Sequence, residues 1–213
     1  MNRSAPARAP HIACFDLEGV LVPEIWIGVA QTTGIDELRL TTRDVADYSQ
    51  LMRHRLRVLD EHKIGINTIR AVIADLGVLP GAREFLDWAR QAFEVVILSD
   101  TFYDFAAPLM RQLDWPTLFA HQLVIDDAGM IRDFRLRMPN QKQAAVQAFQ
   151  SLNFTVLAAG DSYNDTDMLL AADHGFLYQP SAQVMADFPN LPVVDDLISL
   201  KAALASVAGV DAD

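Results

Sequence analysis

The chain has 213 residues, is 51% hydrophobic and 21% charged, and carries a formal net charge of −11. That length and apolar share suit one core-forming domain with room for a small inserted unit, and exclude a disordered chain. The acidic balance argues against nucleic acid or an anionic membrane as partner. The single cysteine, Cys14, rules out an intrachain disulfide and fits a cytoplasmic setting.

Residues 1–10 hold Arg3 and Arg8 among Ala, Pro and Ser, without the apolar stretch of a secretory signal, and are expected to form a disordered extension. No apolar run reaches the length of a membrane span. From His11 onward, short apolar runs alternate with amphipathic stretches, the pattern of an α/β fold with a parallel sheet. His11 to Asp16 reads as a buried strand ending on a carboxylate. Residues 23–79 break the rhythm. They hold no convincing strand, but Glu24–Thr33, Tyr48–His62 and Asn67–Leu76 carry apolar residues at helical spacing, with Leu51, Val58 and Leu59 forming one stripe. This segment is expected to be a helical cap over a core made of 11–22 and 80–213, with Pro80-Gly81 marking the return.

In the core, Phe93–Leu98 reads as a strand leading to Ser99, and Thr155–Ala159 as a strand leading to Gly160-Asp161. His174–Tyr178 and Leu191–Val194 give weaker strand signals. Helices are expected over Gly81–Gln91, Phe102–Leu113, Gln141–Leu152 and Asp165–Ala172. Ile125 to Met130 resembles a hairpin turn, with Gly129 supplying the positive φ. Three strands thus deliver Asp16 with Glu18, Ser99, and Asp161 to one edge, and ligands bind beyond the carboxyl ends of open parallel sheets.

The residue types at that edge are those of metal-assisted phosphate chemistry. Asp16 and Glu18, two positions apart beside Gly19, suit a hard cation such as Mg²⁺, with one carboxylate attacking phosphorus and the other managing protons. Gly160-Asp161-Ser-Tyr-Asn164-Asp165 holds more acidic and amide groups than a helix cap needs, which favours metal binding. Ser99 taken alone reads better as simple turn chemistry, but a hydroxyl at the end of a buried strand, before a helix, can hold a phosphate oxygen. Lys142 would supply the fixed cation that an aspartate and a phosphate need between them. The histidines (His11, His54, His62, His121, His174) show no metal-ligand spacing and read as structural. Cys14 reads as strand core, and Trp26, Trp88 and Trp115 as packing.

Asp16-Leu-Glu18, Ser99, Lys142 and Gly160-Asp161…Asn164-Asp165 stand in the order of the four motifs of the haloacid dehalogenase superfamily, which the chain resembles from its first strand to Asp165. Within it, Asp16-Leu-Glu-Gly-Val-Leu-Val-Pro-Glu-Ile-Trp26, Leu98-Ser-Asp-Thr-Phe-Tyr103 and Gly160-Asp-Ser-Tyr-Asn-Asp165 resemble the phosphoserine phosphatases. The similarity is strongest to the branch that also transfers phosphate from phosphoserine to homoserine. The resemblance implies a Rossmann-like doubly wound parallel sheet with an inserted helical cap, and Mg²⁺ held by Asp16, Glu18 (through its carbonyl), Asp161 and Asp165. It implies that Asp16 is the nucleophile, Glu18 the acid and base, and Ser99, Asp100, Lys142 and Asn164 the surroundings of the phosphate. It places Glu24 on the substrate ammonium and Arg55 on its carboxylate, with Arg53 and Arg57 competing for that role. Two departures stand out. Glu18 replaces the usual Asp and reaches about 1.5 Å further. Asp100-Thr101 follows Ser99 where many phosphoserine phosphatases have glycines, and Asp100 is expected to turn away as a cap of the helix at Phe102. A phosphatase of another small phosphate ester, or a catalytically silent phospho-ligand binding protein, are the other readings.

Overall fold

The protein is described by a computed structural model covering residues 10–42, 44, 45 and 47–212. The expected N-terminal extension lies outside these residues except for Pro10. β1 (His11–Phe15) is the middle of a seven-stranded sheet, with order β4-β3-β2-β1-β5-β6-β7. β2 (Glu94–Phe102) and β5 (Thr155–Gly160) flank it in parallel. β3 (Thr117–Ile125), β6 (His174–Tyr178) and β7 (Val193–Val194) extend the parallel set. Among the described strands, β4 (Ile131–Arg135) alone runs antiparallel, as the second arm of a hairpin with β3.

The alternation of side chains along β1 explains the layers. Ala13 and Phe15 feed one apolar cluster, and Ile12 and Cys14 feed another on the opposite face. The second face is covered by α6 (Gln141–Ser151), α7 (Tyr163–Ala171) and α8 (Ala182–Asp187), which contribute Val146, Leu169 and Val184. The first is covered by α4 (Ala82–Ala92), α5 (Tyr103–Gln112) and α9 (Leu197–Ala208), through Phe85, Phe105 and Leu204. A strand covered on both sides must be apolar throughout, which is why β1 and β5 read as continuous hydrophobic runs.

Residues 23–79 form α1 (Ile25–Thr33), a 3₁₀ turn (Asp36–Arg39), α2 (Tyr48–Glu61) and α3 (Ile66–Leu76), with no strand among the described residues there. Ile25, Val29, Met52, Leu59, Ile69 and Ile73 join the same apolar cluster as Phe15 and Phe105, so these helices share one core with that face of the sheet. The β3–β4 hairpin tethers them: Ile66 N–H donates to Gly129 O at 2.8 Å, and Arg132 meets Asp60 at 2.7 Å. The excursion closes where Leu79 N–H donates to Leu21 O at 2.9 Å.

Several elements differ from the expectation. β2 runs past Ser99 to Phe102, with a shift in register against β3 between Leu98 and Phe102. β3 was not expected as a strand, because His121 and Gln122 interrupt its apolar run; His121 is nonetheless buried. α8 and α9 were also not anticipated. The turn before β4 forms as expected, with Gly129 at φ 78°. Trp115 does not pack: it is 60% exposed.

Phe15 is fully buried and meets Phe85 edge-on, with centroids 5.1 Å apart. Phe15→Ala is expected to lower the unfolding free energy by about 3–5 kcal/mol, read by urea denaturation; a loss under about 1 kcal/mol would contradict this packing.

Candidate active site

Parallel strands β1, β2 and β5 end side by side, and the first polar groups beyond them converge. Asp16 follows β1, its N–H bonded to Ala159 O at 2.9 Å, and Asp161 follows β5. Lys142 enters from the first turn of α6 and Asp165 from the first turn of α7. The Lys142 ammonium donates to Asp16 Oδ1 at 2.9 Å and to Asp165 Oδ1 at 2.7 Å, with all three side chains almost fully buried. Oxygens of Asp16, Asp161 and Asp165 lie within 4.8 Å of one another.

Two glycines make this convergence possible. Gly19 has φ 79°, and a Cβ there would stand 2.6 Å from Asp161 Oδ2. At Gly160 a Cβ would overlap the Asp165 carboxyl group. Asp165 is fixed by its second oxygen, which accepts the N–H groups of Asp161 at 3.0 Å and Ser162 at 3.2 Å. That is half of a capping box with Ser162 at the start of α7. Both Asp165 oxygens are therefore engaged by protein donors.

The charges do not balance internally. Burial pushes the Asp16 carboxyl well above the usual range, and Asp165 and Asp161 add to this while Lys142 opposes it. Lys142 is held well above its ordinary value, because its carboxylate partners outweigh the effect of burial. One ammonium faces three aspartates, so the donor set fits a further hard cation bound by oxygens.

Glu18 does not face this cluster alone. Its Oε2 accepts the Ile25 N–H at 2.9 Å, so it caps the start of α1, where the preceding residue, Glu24, makes no side-chain cap. The extra methylene of Glu over Asp supplies reach toward that helix. Burial first, and then Glu24, push its carboxyl up to about 7.

Ser99 is buried, and its Oγ accepts the Thr101 N–H at 3.2 Å, which leaves the hydroxyl hydrogen to donate elsewhere. Asp100 does not cap α5, which has no side-chain cap. Its register past the bulge in β2 turns it inward instead. Oδ1 accepts from Gln141 Nε2 at 3.1 Å and lies 3.3 Å from His121 Nε2; Oδ2 accepts from Asn164 Nδ2 at 3.0 Å and lies 3.9 Å from Lys142. Burial alone would raise Asp100, but Lys142, His121, Asn164 and Gln141 together hold it well below the usual carboxylate range. Asn164 is oriented from the other side, where its Oδ1 accepts the Ser162 hydroxyl at 2.6 Å.

Above these groups opens a narrow polar cleft of about 60 Å³. Asp16, Glu18, Ser99, Asp100, Asp161 and Asn164 form its base, and Glu24, Trp26, Tyr48 and Arg55 its helical side. Arg55 is buried, donates to Leu40 O at 2.8 Å and stacks 4.6 Å from the Trp26 ring, while its Nε has no partner among the described residues. Burial lowers it to about 10. Arg53 and Arg57 lie on the exposed side of α2, Arg57 against His54 and Glu61, so the helix separates the three arginines that the sequence left in competition. Sequence reasoning missed Tyr48, Gln141 and the polar surroundings of His121. The available signal was polar residues inside otherwise apolar strand and helix faces. Trp26 was read as packing only; it also forms the cleft wall beneath Arg55.

The sequence profile of the haloacid dehalogenase-like hydrolases matches residues 11–173. The chain belongs to this family. Among relatives of the haloacid dehalogenase-like hydrolases, it is 55% identical over 191 residues to phosphoserine phosphatase ThrH of Pseudomonas aeruginosa, covering 90% of this chain and 93% of the relative. It is 53% identical over 193 residues to a phosphoserine phosphatase of Pseudomonas syringae pv. tomato, covering 91% and 81%. In structure it resembles the phosphoserine phosphatase of T. onnurineus, with a TM-score of 0.71 at 24% identity over 99% of this chain and 100% of that one.

Lys142→Met would leave Asp16 and Asp165 buried without their cation. With divalent metal chelated at neutral pH, unfolding is expected to become easier by about 3–5 kcal/mol; unchanged denaturation would contradict the ion pairs.

Proposed function

We propose that the chain is a phosphoserine phosphatase that forms a phosphorylated Asp16 and can pass the phosphoryl group to water or to homoserine. The observation that carries this is the pair of opposite charges on the helical side of the cleft. Glu24 and Arg55 stand above a base of Asp16, Ser99 and Asp161. A zwitterion needs one charge of each sign, and a phosphate ester needs the nucleophile, the hydroxyl and the cation below. The names of the two relatives above support the same substrate.

Asp16 and Asp161, with the Glu18 carbonyl, would hold Mg²⁺, and Asp165 would brace them from behind. The metal, when bound, would offset negative charge on the phosphoryl oxygens and on the acids around it. Lys142 and Ser99 donate to those oxygens and hold the ester against Asp16. The Asp16 carboxylate attacks phosphorus, the Asp16–phosphorus bond forms, and the bond to the serine oxygen breaks. Glu18 delivers its proton to that oxygen, so serine leaves as the neutral alcohol. Glu18, now a carboxylate, takes the proton of the incoming hydroxyl as its oxygen bonds to phosphorus and Asp16 is released. Glu18 lines the cleft while its Oε2 accepts the Ile25 N–H, so it connects the chemistry to the start of α1. Water and an amino-acid alcohol use the same groups, and the second is selected by the Glu24 and Arg55 side of the cleft. A cytoplasmic setting suits a buried, reduced Cys14, whose thiol burial pushes up to about 12; no described helix is long and apolar enough to cross a membrane.

Product analysis with phosphoserine and Mg²⁺, with and without homoserine, tests this reading. Serine and free phosphate are expected in both tubes and phosphohomoserine in the second. No turnover of phosphoserine in either would overturn the substrate. Asp16→Asn is expected to lose at least about three orders of magnitude in kcat. Arg55→Ala is expected to raise KM for phosphoserine about 100-fold, while Arg57→Ala leaves it unchanged. Equal effects of the two substitutions would contradict the placement of Arg55.

A further inference from the structure

Asp100 is the meeting point of groups from four other elements. His121 comes from β3, Gln141 and Lys142 from α6, and Asn164 from α7, all directed at its carboxylate. Its backbone carbonyl accepts the hydroxyl of Tyr48 at 2.5 Å, from the first residue of α2. The Tyr48 ring is itself held, 5.7 Å from His121 and 6.3 Å, edge-on, from Phe134 of β4. The rings therefore aim the hydroxyl at one carbonyl. With its oxygens taken by neighbouring donors, Asp100 has little left to offer a substrate.

The consequence follows from where these elements lead. α2 carries Arg55, which faces the amino-acid end of the cleft. β2 carries Ser99, and α6 carries Lys142, which face the phosphoryl end. Elsewhere among the described residues, polar ties from α2 and α3 to the core lie at the β3–β4 hairpin and at α5, away from the cleft: Ile66 to Gly129, Asp60 to Arg132, and Arg70 to Asp104 O at 2.7 Å. Inside the cleft, the Ile25 N–H ties α1 to Glu18 at its near edge, and Tyr48 to Asp100 is the tie that α2, the helix of Arg55, makes to the core.

We infer that Tyr48 and Asp100, steadied by His121, form a latch that sets the distance between the carboxylate-binding and phosphate-binding ends of the cleft. Both are positioning residues in this role. The latch rests on the proposed substrate, because only a ligand that spans both ends would sense it. An aryl phosphate, which has no ammonium or carboxylate, uses the lower end alone. One hydrogen bond of ordinary strength corresponds to about a tenfold change in an equilibrium.

The test uses the full chain with Mg²⁺ and the variant Tyr48→Phe, which removes only the hydroxyl. The ratio of kcat/KM for phosphoserine to that for p-nitrophenyl phosphate is expected to fall about tenfold, chiefly through KM for phosphoserine. Asp100→Asn, which weakens the hold on Lys142 as well, is expected to lower kcat on both substrates. An unchanged ratio in Tyr48→Phe, or an equal loss on both substrates, would overturn the latch. Amide hydrogen exchange gives a readout free of substrate: exchange in the first turns of α2 is expected to speed up in Tyr48→Phe, with the sheet unchanged. If the parent enzyme turns over the aryl phosphate but not phosphoserine, the substrate reading fails. The exchange result then decides the latch by itself, and unaltered protection of α2 overturns it.

Discussion

The ammonium of Lys142 between Asp16 and Asp165 is the contact on which this site depends. A parallel sheet ends all its strands at one edge, so a chain that places acids after β1 and at the start of α7 brings like charges together whatever its loops do. Two carboxylates about 4 Å apart repel by roughly 4 kcal/mol at an effective dielectric near 20, and burial makes the loss of water larger still. A single buried lysine reaching across from α6 opposes this and leaves a net negative site whose oxygens fit a divalent cation. The same geometry explains the glycines. Gly19 and Gly160 carry no side chain because the carboxyl groups of Asp161 and Asp165 stand where one would be.

This electrostatic arrangement also sorts the acids by task. Asp165 has both oxygens occupied by Lys142 and by two backbone N–H groups, so it holds the frame. Asp100 is similarly committed, to His121, Gln141 and Asn164. Asp16 gives one oxygen to Lys142, and Glu18 is tied only to a helix N-terminus. Asp16 and Glu18, less committed than Asp165 and Asp100, are the acids to which the proposed mechanism assigns the chemistry.

Much of this was legible in the sequence for a physical reason. The central strands are buried on both faces, so β1 and β5 appear as unbroken apolar runs, and the polar residues just beyond them stand out. The helices of the insertion show their apolar stripes because one side of each faces the shared core. What failed to show was of a different kind. β3 alternates poorly because it lies toward the edge of the sheet and carries His121, a polar residue satisfied by tertiary partners that no local pattern encodes. Asp100 looked like a helix cap because its true partners are 21 to 64 residues away along the chain. Arg53, Arg55 and Arg57 could not be separated until the phase of α2 was fixed by its packing. Glu18 looked like a substitution for Asp; its second role at the start of α1 needs the fold to be seen.

The central claim is that Asp16, held by Lys142, is the residue that takes the phosphoryl group. The most direct measurement is rapid acid quench of the enzyme with phosphoserine and Mg²⁺, followed by peptide mapping by mass spectrometry. The account predicts a phosphoryl increment on Asp16 within the peptide that contains Glu18, one that is lost on treatment with hydroxylamine. A phosphoryl group on any other residue, or turnover with no covalent adduct under conditions that trap acyl phosphates, would contradict it.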